Sequence, residues 1–346
     1  VSASTPVLSL ATADKGGPAQ PLLLVRDLRK HFHLRGGFLA RSTARVRAVD
    51  GVSFALAKGE TLGVVGESGC GKSTTARLVA RLLEPDAGEL IFDGEAVGAQ
   101  TGLALKDFRR NLQMVFQDAY GSLNPRMPVA EAVAYGPQVH GMPAAAARAR
   151  AHDLLDRVGL EPDLFAQRYP HELSGGQRQR VNIARALAFE PRLLILDESV
   201  AALDKSVQAQ VLNLLQDLKA ERRLTYLFIS HDLHVVHYLA DRVMVMYLGI
   251  VVESGPVDAV YRAARHPYTQ ALLSAVPSLD PARRTQQAPL SGDPPNPVNP
   301  PSGCRFRDRC SKAQAVCAEQ VPALREGLPG HWAACHFDEA FAGPST

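Results

Sequence analysis

The chain has 346 residues, 46% of them apolar and 21% charged, with a formal net charge of +3. These proportions suit a water-soluble globular chain of about two domains, or one domain with additions, and the charge is too small to argue for a nucleic-acid partner. No apolar run approaches the ~20 residues that a membrane-spanning helix needs, and no basic-then-apolar leader is recognisable, so a cytoplasmic chain is expected.

Residues 1–20 are small and unpatterned and are expected to lack fixed structure. A strand region opens at Pro21 and runs to Phe32, residues 36–41 read as a loop, and Val46–Leu56 resumes strand-like alternation with Asp50-Gly51 as a turn signal. Thr61–Val65 is a short apolar run that reads as a buried strand. Gly66, Glu67, Ser68, Gly69, Cys70, Gly71, Lys72 and Ser73 follow, with Thr74 to Leu83 reading as a helix. Strand, Gly-x-x-x-x-Gly-Lys-Ser and helix in that order are the context of a P-loop. Its glycines let backbone N–H groups wrap a phosphate chain, and the helix dipole adds attraction at the same spot. Lys72 is placed to reach the terminal phosphates, Ser73 to ligate Mg²⁺, and the chain is expected to bind ATP. Cys70 reads as a small filler whose position near a helix N-terminus would lower its pKa, so that alkylation there would block ATP. Phe32 is the candidate to stack on adenine, with Phe38 in reserve; ordinary strand core is the other reading of Phe32.

Glu89–Gly94 reads as a strand ending in a turn, and Asn111–Phe116 as another with Gln117 just past its end. From about 120 to 185 the texture is that of a helical insertion, with helix over Ala144–Val158. Leu173-Ser174-Gly175-Gly176-Gln177 opens a further helix, in which Ser174 is a cap and the glycines leave N–H groups open to an anion. The apolar strand Leu193–Leu196 ends in Asp197-Glu198. Asp197 is the expected Mg²⁺ carboxylate and Glu198 is placed to deprotonate an attacking water. Ser206–Glu221 has the spacing of an amphipathic helix. Thr225–Ser230 reads as a strand with His231 beyond it, and Val243–Met246 and Ile250–Glu253 as a hairpin around Leu248-Gly249. The P-loop, Gln117, Asp197-Glu198 and His231 each follow a strand, which is where α/β sheets bind ligands.

Residues from about Leu22 onward resemble the ATP-binding subunits of ABC transporters, on the strength of LSGGQ lying between a P-loop and LLILDE. The resemblance implies an α/β fold: a P-loop NTPase core sheet, an N-terminal antiparallel β region, an inserted α-helical subdomain and a small cysteine-rich C-terminal domain. Its implied bounds are 21–275 for the nucleotide-binding domain and 276–346 for the tail. It implies that Gln117 is the Q-loop residue, Glu198 the general base, Ala202-Leu203-Asp204 the D-loop and His231 the switch histidine. Ser174, Gly175, Gly176 and Gln177 would then close over the nucleotide of a second ATPase subunit. Ser199-Val200-Ala201 departs from the family's usual Pro-Thr-Ser without removing a catalytic group.

The tail narrows the resemblance. HPYTQALLSAVP from His266 and NPPSGCRFRDRC ending at Cys310 are similar to the oligopeptide/dipeptide importer subfamily. That implies a homologous second ATPase subunit in a heterodimer, two membrane permease subunits, an extracytoplasmic solute-binding protein and a place on the cytoplasmic face of the membrane. A nickel or other small-solute importer, and a soluble ABC ATPase, are the competing readings. Cys304, Cys310, Cys317 and Cys335 are four thiols suited to Zn²⁺ or an iron–sulfur cluster. The subfamily resemblance implies a [4Fe–4S] cluster, with zinc and metal-free thiols left open.

Overall fold

The computed structural model describes residues 17, 19–33, 45–275 and 297–338. Phe38 and the first part of the Pro-rich stretch that the sequence shows at 291–303 lie outside them, as does most of 1–20. The chain divides into two compact units. One comprises 24–56, 60–90 and 228–346 and carries the P-loop; the other comprises 1–23, 57–59 and 91–227 and carries the helical insertion.

In chain order, β1 (Leu23–His33) and β2 (Arg45–Leu56) are neighbours in one sheet. β3 (Thr61–Val65), buried at every residue, leads into the P-loop and α1 (Lys72–Val79). β4 (Ala87–Phe92) turns at Asp93-Gly94 into β5 (Glu95–Ala96), and α2 (Leu105–Asn111) feeds β6 (Leu112–Val115). Four helices follow: α3 (Val129–Val139), α4 (Ala144–Arg157), α5 (Pro162–Phe165) and α6 (Gly175–Leu187). Then come β7 (Leu193–Asp197), α7 (Lys205–Arg222), β8 (Thr225–Ile229) and α8 (Leu233–Leu239). β9 (Arg242–Tyr247), β10 (Ile250–Pro256), α9 (Val257–Arg262) and α10 (Pro267–Ser274) precede the tail, which holds α11 (Ala315–Glu319), β11 (Arg325–Leu328) and β12 (His331–Ala333).

In the P-loop unit, β3 and β9 pair in parallel with Gly63 opposite Val243. Burial on both faces explains why both strands read as near-continuous apolar runs. A Cβ on Gly63 would stand 2.5 Å from Val236 of α8, so this glycine lets the helix lie flat on the strand. β9 returns as β10 through Leu248 (φ 44°) and Gly249 (φ 82°), the paired left-handed residues that a tight hairpin demands. The tail then extends the same sheet: β12 pairs antiparallel with β10, Glu253 opposite Ala333, and β11 pairs with β12. Its described part thus clusters with the P-loop unit. α1 stops at Val79, short of the expected Leu83. Arg81 takes a left-handed φ of 54°, and the N–H groups of Leu82 and Leu83 turn back to the Arg77 carbonyl at 2.9 and 3.2 Å.

In the helical unit, β6 and β7 are parallel, Leu112 opposite Leu193. α4 buries Ala147, Ala151, Leu154 and Leu155, a single helical stripe, against α3 and α6. Of the face expected for α7 (Val207, Val211, Leu214, Leu215 and Leu218), Val211, Leu215 and Leu218 are buried and Val207 and Leu214 only half-buried; Leu212 and Gln208 are buried as well, and the Gln208 amide donates to the Val200 carbonyl at 3.3 Å. α2 was not legible beforehand. Its seven residues are too few for a periodic signal, and only Phe108 and Asn111 are buried.

Candidate functional site

The P-loop is shaped by backbone that only glycine adopts cheaply at two positions. Gly66 has φ 148°, and a Cβ there would stand 2.2 Å from the Met246 carbonyl oxygen; Gly71 has φ 107°, and its Cβ would stand 2.2 Å from that of Ala48. Gly71 caps α1, whose first residue is Lys72. The Lys72 ammonium is buried and donates to the carbonyls of Gly66 (2.7 Å) and Glu67 (3.0 Å). The lysine is thereby held inside the loop it would share with a phosphate. Ser73 and Thr74 lie in the first turn of α1, and Thr75 returns its hydroxyl to the Gly71 carbonyl at 3.0 Å.

Cys70 differs from the expectation. Its side chain is buried, and burial pushes the thiol up, outweighing the neighbouring Lys72 ammonium. Burial thus works against the thiolate that a helix N-terminus would favour.

His231 belongs to the same unit. Ser230, just past β8, donates its N–H to the Val64 carbonyl at 3.3 Å, which sets exposed His231 beside the strand that leads into the P-loop. Asp232 then caps α8, accepting from the His234 N–H at 3.0 Å. Phe32, on β1, is 39% exposed with the Lys30 ammonium 5.8 Å from its ring centroid. Its ring is surface rather than strand core.

The helical unit carries the other candidates. Asp197 ends β7 and is buried, and Glu198 follows with φ 47°. A left-handed non-glycine residue at a strand end is the kind of strain found at functional sites. Gln117 donates its amide to Glu198 Oε2 at 2.9 Å, so residues 81 apart in sequence meet as the shared strand-end reading requires. The helix after LSGGQ begins where expected. Ser174 and Gln177 form a reciprocal capping box, Gln177 N–H to Ser174 Oγ at 3.3 Å and Ser174 N–H to Gln177 Oε1 at 2.9 Å. Ser174 and Gly175 are exposed. Gly176 is buried, and a Cβ there would come within 2.3 Å of Val207 on α7.

The four tail cysteines line one cavity, with His266, Phe306 and Phe337 among its walls. All are unpaired thiols. Burial pushes Cys304 and Cys310 up, and Cys335 to about 11. The donor set suits a soft metal, but among the described residues no three His, Cys, Asp or Glu side chains stand where they would hold a metal ion.

Two residues that the sequence left without a task, Tyr268 and Arg309, are set against the P-loop, and a third, Arg305, holds the turn beside it. The Tyr268 hydroxyl accepts the Glu67 N–H at 2.8 Å, and Arg309 forks onto the Glu67 carboxylate at 2.7 and 3.0 Å. Arg305 bonds Asp50 and the Leu248 carbonyl. Behind them, fully buried Glu253 accepts the N–H groups of Arg265 (2.7 Å) and His266 (3.0 Å), and its Oε1 lies 2.7 Å from His331 Nε2. The HPY of His266-Pro267-Tyr268 and the stretch ending at Cys310 that holds Arg305 and Arg309 were the prior signals, and they marked the segments without saying what they touch.

Comparison with known proteins agrees with this geometry. Residues 49–201 match the ABC transporter family model, and residues 252–317 match the oligopeptide/dipeptide transporter C-terminal region. The chain is 49% identical over 322 residues to the oligopeptide transport ATP-binding protein AppF of Bacillus subtilis, spanning 92% of this chain and 98% of that one. It is 50% identical over 319 residues to a Brucella ovis protein named for peptide import and ATP binding, with the same coverage. Among solved structures, cbiO1 from Clostridium perfringens, part of the ABC transporter complex cbiONQ, aligns with a TM-score of 0.60 at 29% identity. That alignment covers 70% of this chain and 90% of cbiO1. With its P-loop, LSGGQ helix and strand-end Asp-Glu pair in place, the chain belongs to the ATP-binding, ATP-hydrolysing subunits of the ABC transporter family, in the branch that carries the oligopeptide/dipeptide C-terminal region.

Proposed function

We propose that this chain is the motor subunit of an importer for oligopeptides or dipeptides, docked by membrane permeases to the cytoplasmic face of the membrane. The observation that carries the reading is the union, in one chain, of the ABC transporter region at 49–201 and the oligopeptide/dipeptide C-terminal region at 252–317. The names of the B. subtilis and B. ovis relatives point the same way. No helix among the described residues is long and apolar enough to cross a membrane, so permeation would fall to other chains. A second, homologous ATPase subunit and an extracytoplasmic solute-binding protein complete the proposed assembly.

Within the ATP site, we assign Lys72 and the P-loop N–H groups to the phosphates. Mg²⁺ would be held by Ser73, Asp197 and Gln117, whose hydroxyl, carboxylate and amide oxygens are the hard donors that ion prefers. When bound, it neutralises charge on the phosphate chain. Glu198 is the base that takes a proton from the attacking water, held in place by the Gln117 amide, and His231 orients the terminal phosphate. Phe32 offers its exposed face to adenine. Ser174 Oγ and the N–H groups of Gly175 and Gly176 would meet the phosphate bound by a partner subunit, since the capping box already uses the Gln177 N–H. Glu198→Gln in the assembled transporter is expected to abolish peptide uptake and ATP turnover, by at least about 100-fold, while ATP still binds. Uptake that persists would overturn the reading of this chain as the motor.

For the tail we propose a [4Fe–4S] cluster held by Cys304, Cys310, Cys317 and Cys335. The support is that four thiols line one cavity; they would have to turn inward to ligate it. Iron and sulfide analysis after anaerobic purification tests this. Stoichiometric zinc, or no metal, would each overturn it.

A further inference from the structure

We infer that Arg309 is a positioning residue of the nucleotide site, holding the P-loop through Glu67, and that the segment Cys304–Cys310 is the strap that delivers it. Phe306 anchors the strap. It is buried edge-on to Tyr247, with ring centroids 5.3 Å apart, and lies 5.4 Å from Tyr268. Arg309, three residues after this anchor, reaches the loop itself, and Arg305, just before it, reaches the Leu248–Gly249 turn that is bonded to the loop. Arg305 takes the Leu248 carbonyl and the Asp50 carboxylate. Gly249, next to Leu248, donates its N–H to the Cys70 carbonyl at 2.8 Å and accepts that of Asp50 at 2.8 Å. Arg309 takes Glu67, near the start of the loop.

Glu67 is fixed at three points. Its N–H goes to Tyr268, its carbonyl accepts the Lys72 ammonium, and both carboxylate oxygens take the Arg309 fork. A guanidinium forked onto a carboxylate fixes the plane of its partner as well as its distance, which a lysine cannot do. The Arg309 side chain is 5% exposed and that of Glu67 22%, so solvent weakens the pair less than it would a surface pair. Two of these three restraints come from residues beyond position 260. The loop's other N–H groups are therefore aimed by a segment remote from the P-loop motif. Arg309 touches no reacting atom. It acts by keeping Glu67, and with it the turn before Lys72, in one orientation. The inference does not depend on what the thiols hold.

The test is the affinity of the full-length chain for a fluorescent ATP analogue with Mg²⁺, measured well below the melting temperature of every variant. Arg309→Met is expected to weaken binding roughly tenfold, the scale of one charge-assisted pair, and Arg309→Lys to restore part of that loss. Glu67→Gln breaks the same fork from the loop side, leaves every tail residue intact, and carries the test if Arg309→Met fails to fold. The double variant should bind no more weakly than the worse single one. Affinity within twofold of the parent in the folded single variants would overturn the inference, as would full additivity in the double variant.

Discussion

Glu253 is the sharpest place to test the buried framework behind the P-loop. Its Oε1 accepts the Arg265 N–H and meets His331 Nε2, both at 2.7 Å, and its Oε2 accepts the His266 N–H at 3.0 Å. Glu253→Gln keeps the shape and removes one acceptor. If the new amide nitrogen takes the Oε1 position it faces the Arg265 N–H, and if it takes the Oε2 position it faces that of His266. A change of His331 tautomer relieves neither contact. One backbone N–H is left unpaired in either orientation. That costs about 1–3 kcal/mol, and the bonds that remain lose their charge assistance, so the total is about 2–4 kcal/mol. For a cooperative unit of about 150–250 residues this is a fall in melting temperature of roughly 4–16 °C. Differential scanning calorimetry of the full chain reads it directly. A variant that melts within a degree of the parent would refute the reasoning, because the acceptor would then be dispensable or the three donors satisfied elsewhere.

Other expectations follow from single contacts. Gly176→Ala places a methyl 2.3 Å from a Val207 methyl, a clash worth about 1–3 kcal/mol against the roughly 1 kcal/mol that alanine adds to a helix. Val207→Ala in the same chain should recover the lost melting temperature, and no recovery would place the cost elsewhere. Cys70 should react with iodoacetamide at least about tenfold more slowly in the native chain than in denaturant, since the thiolate is the reactive form; rapid labelling blocked by ATP would restore the sequence-based expectation of a reactive thiol. Burial pushes the Asp50 carboxyl up, but the hydrogen bonds and charges of Arg305 and His31 outweigh it and hold it below the usual range. Its contribution is therefore complete above its ordinary pKa of about 4 and is lost as pH falls further, through the depressed folded value. Melting curves of the parent and Asp50→Asn should converge on acidification below about pH 4, and a constant gap would count against the assignment.

What could be read beforehand was chemistry carried by neighbours in sequence. The Gly66–Ser73 spacing, the Ser174 cap and the Leu248-Gly249 turn are each set by a few consecutive residues, so their meaning survives without coordinates. The Gln117–Glu198 contact was legible one step further on, because strands of an α/β sheet present their ends together. The partners of Glu67 were not. A tyrosine in a helix before the tail and an arginine within the tail carry no signal of what they touch, and Arg309 lies 242 residues from its carboxylate. Cys70 misled because proximity to a helix N-terminus is visible in a sequence and burial is not.

The distance between Glu67 and Arg309 also sets a timetable. At the usual ~5–20 residues per second, the ribosome needs roughly 12–50 s to travel from one to the other. Through most of that interval the P-loop is already made, while the HPY tyrosine comes only 201 residues after Glu67 and the arginine strap only at the end. The N-terminal motif that defines the protein is thus among the last parts to mature. A nascent chain carries the phosphate-binding sequence long before it has the restraints that keep that loop in shape.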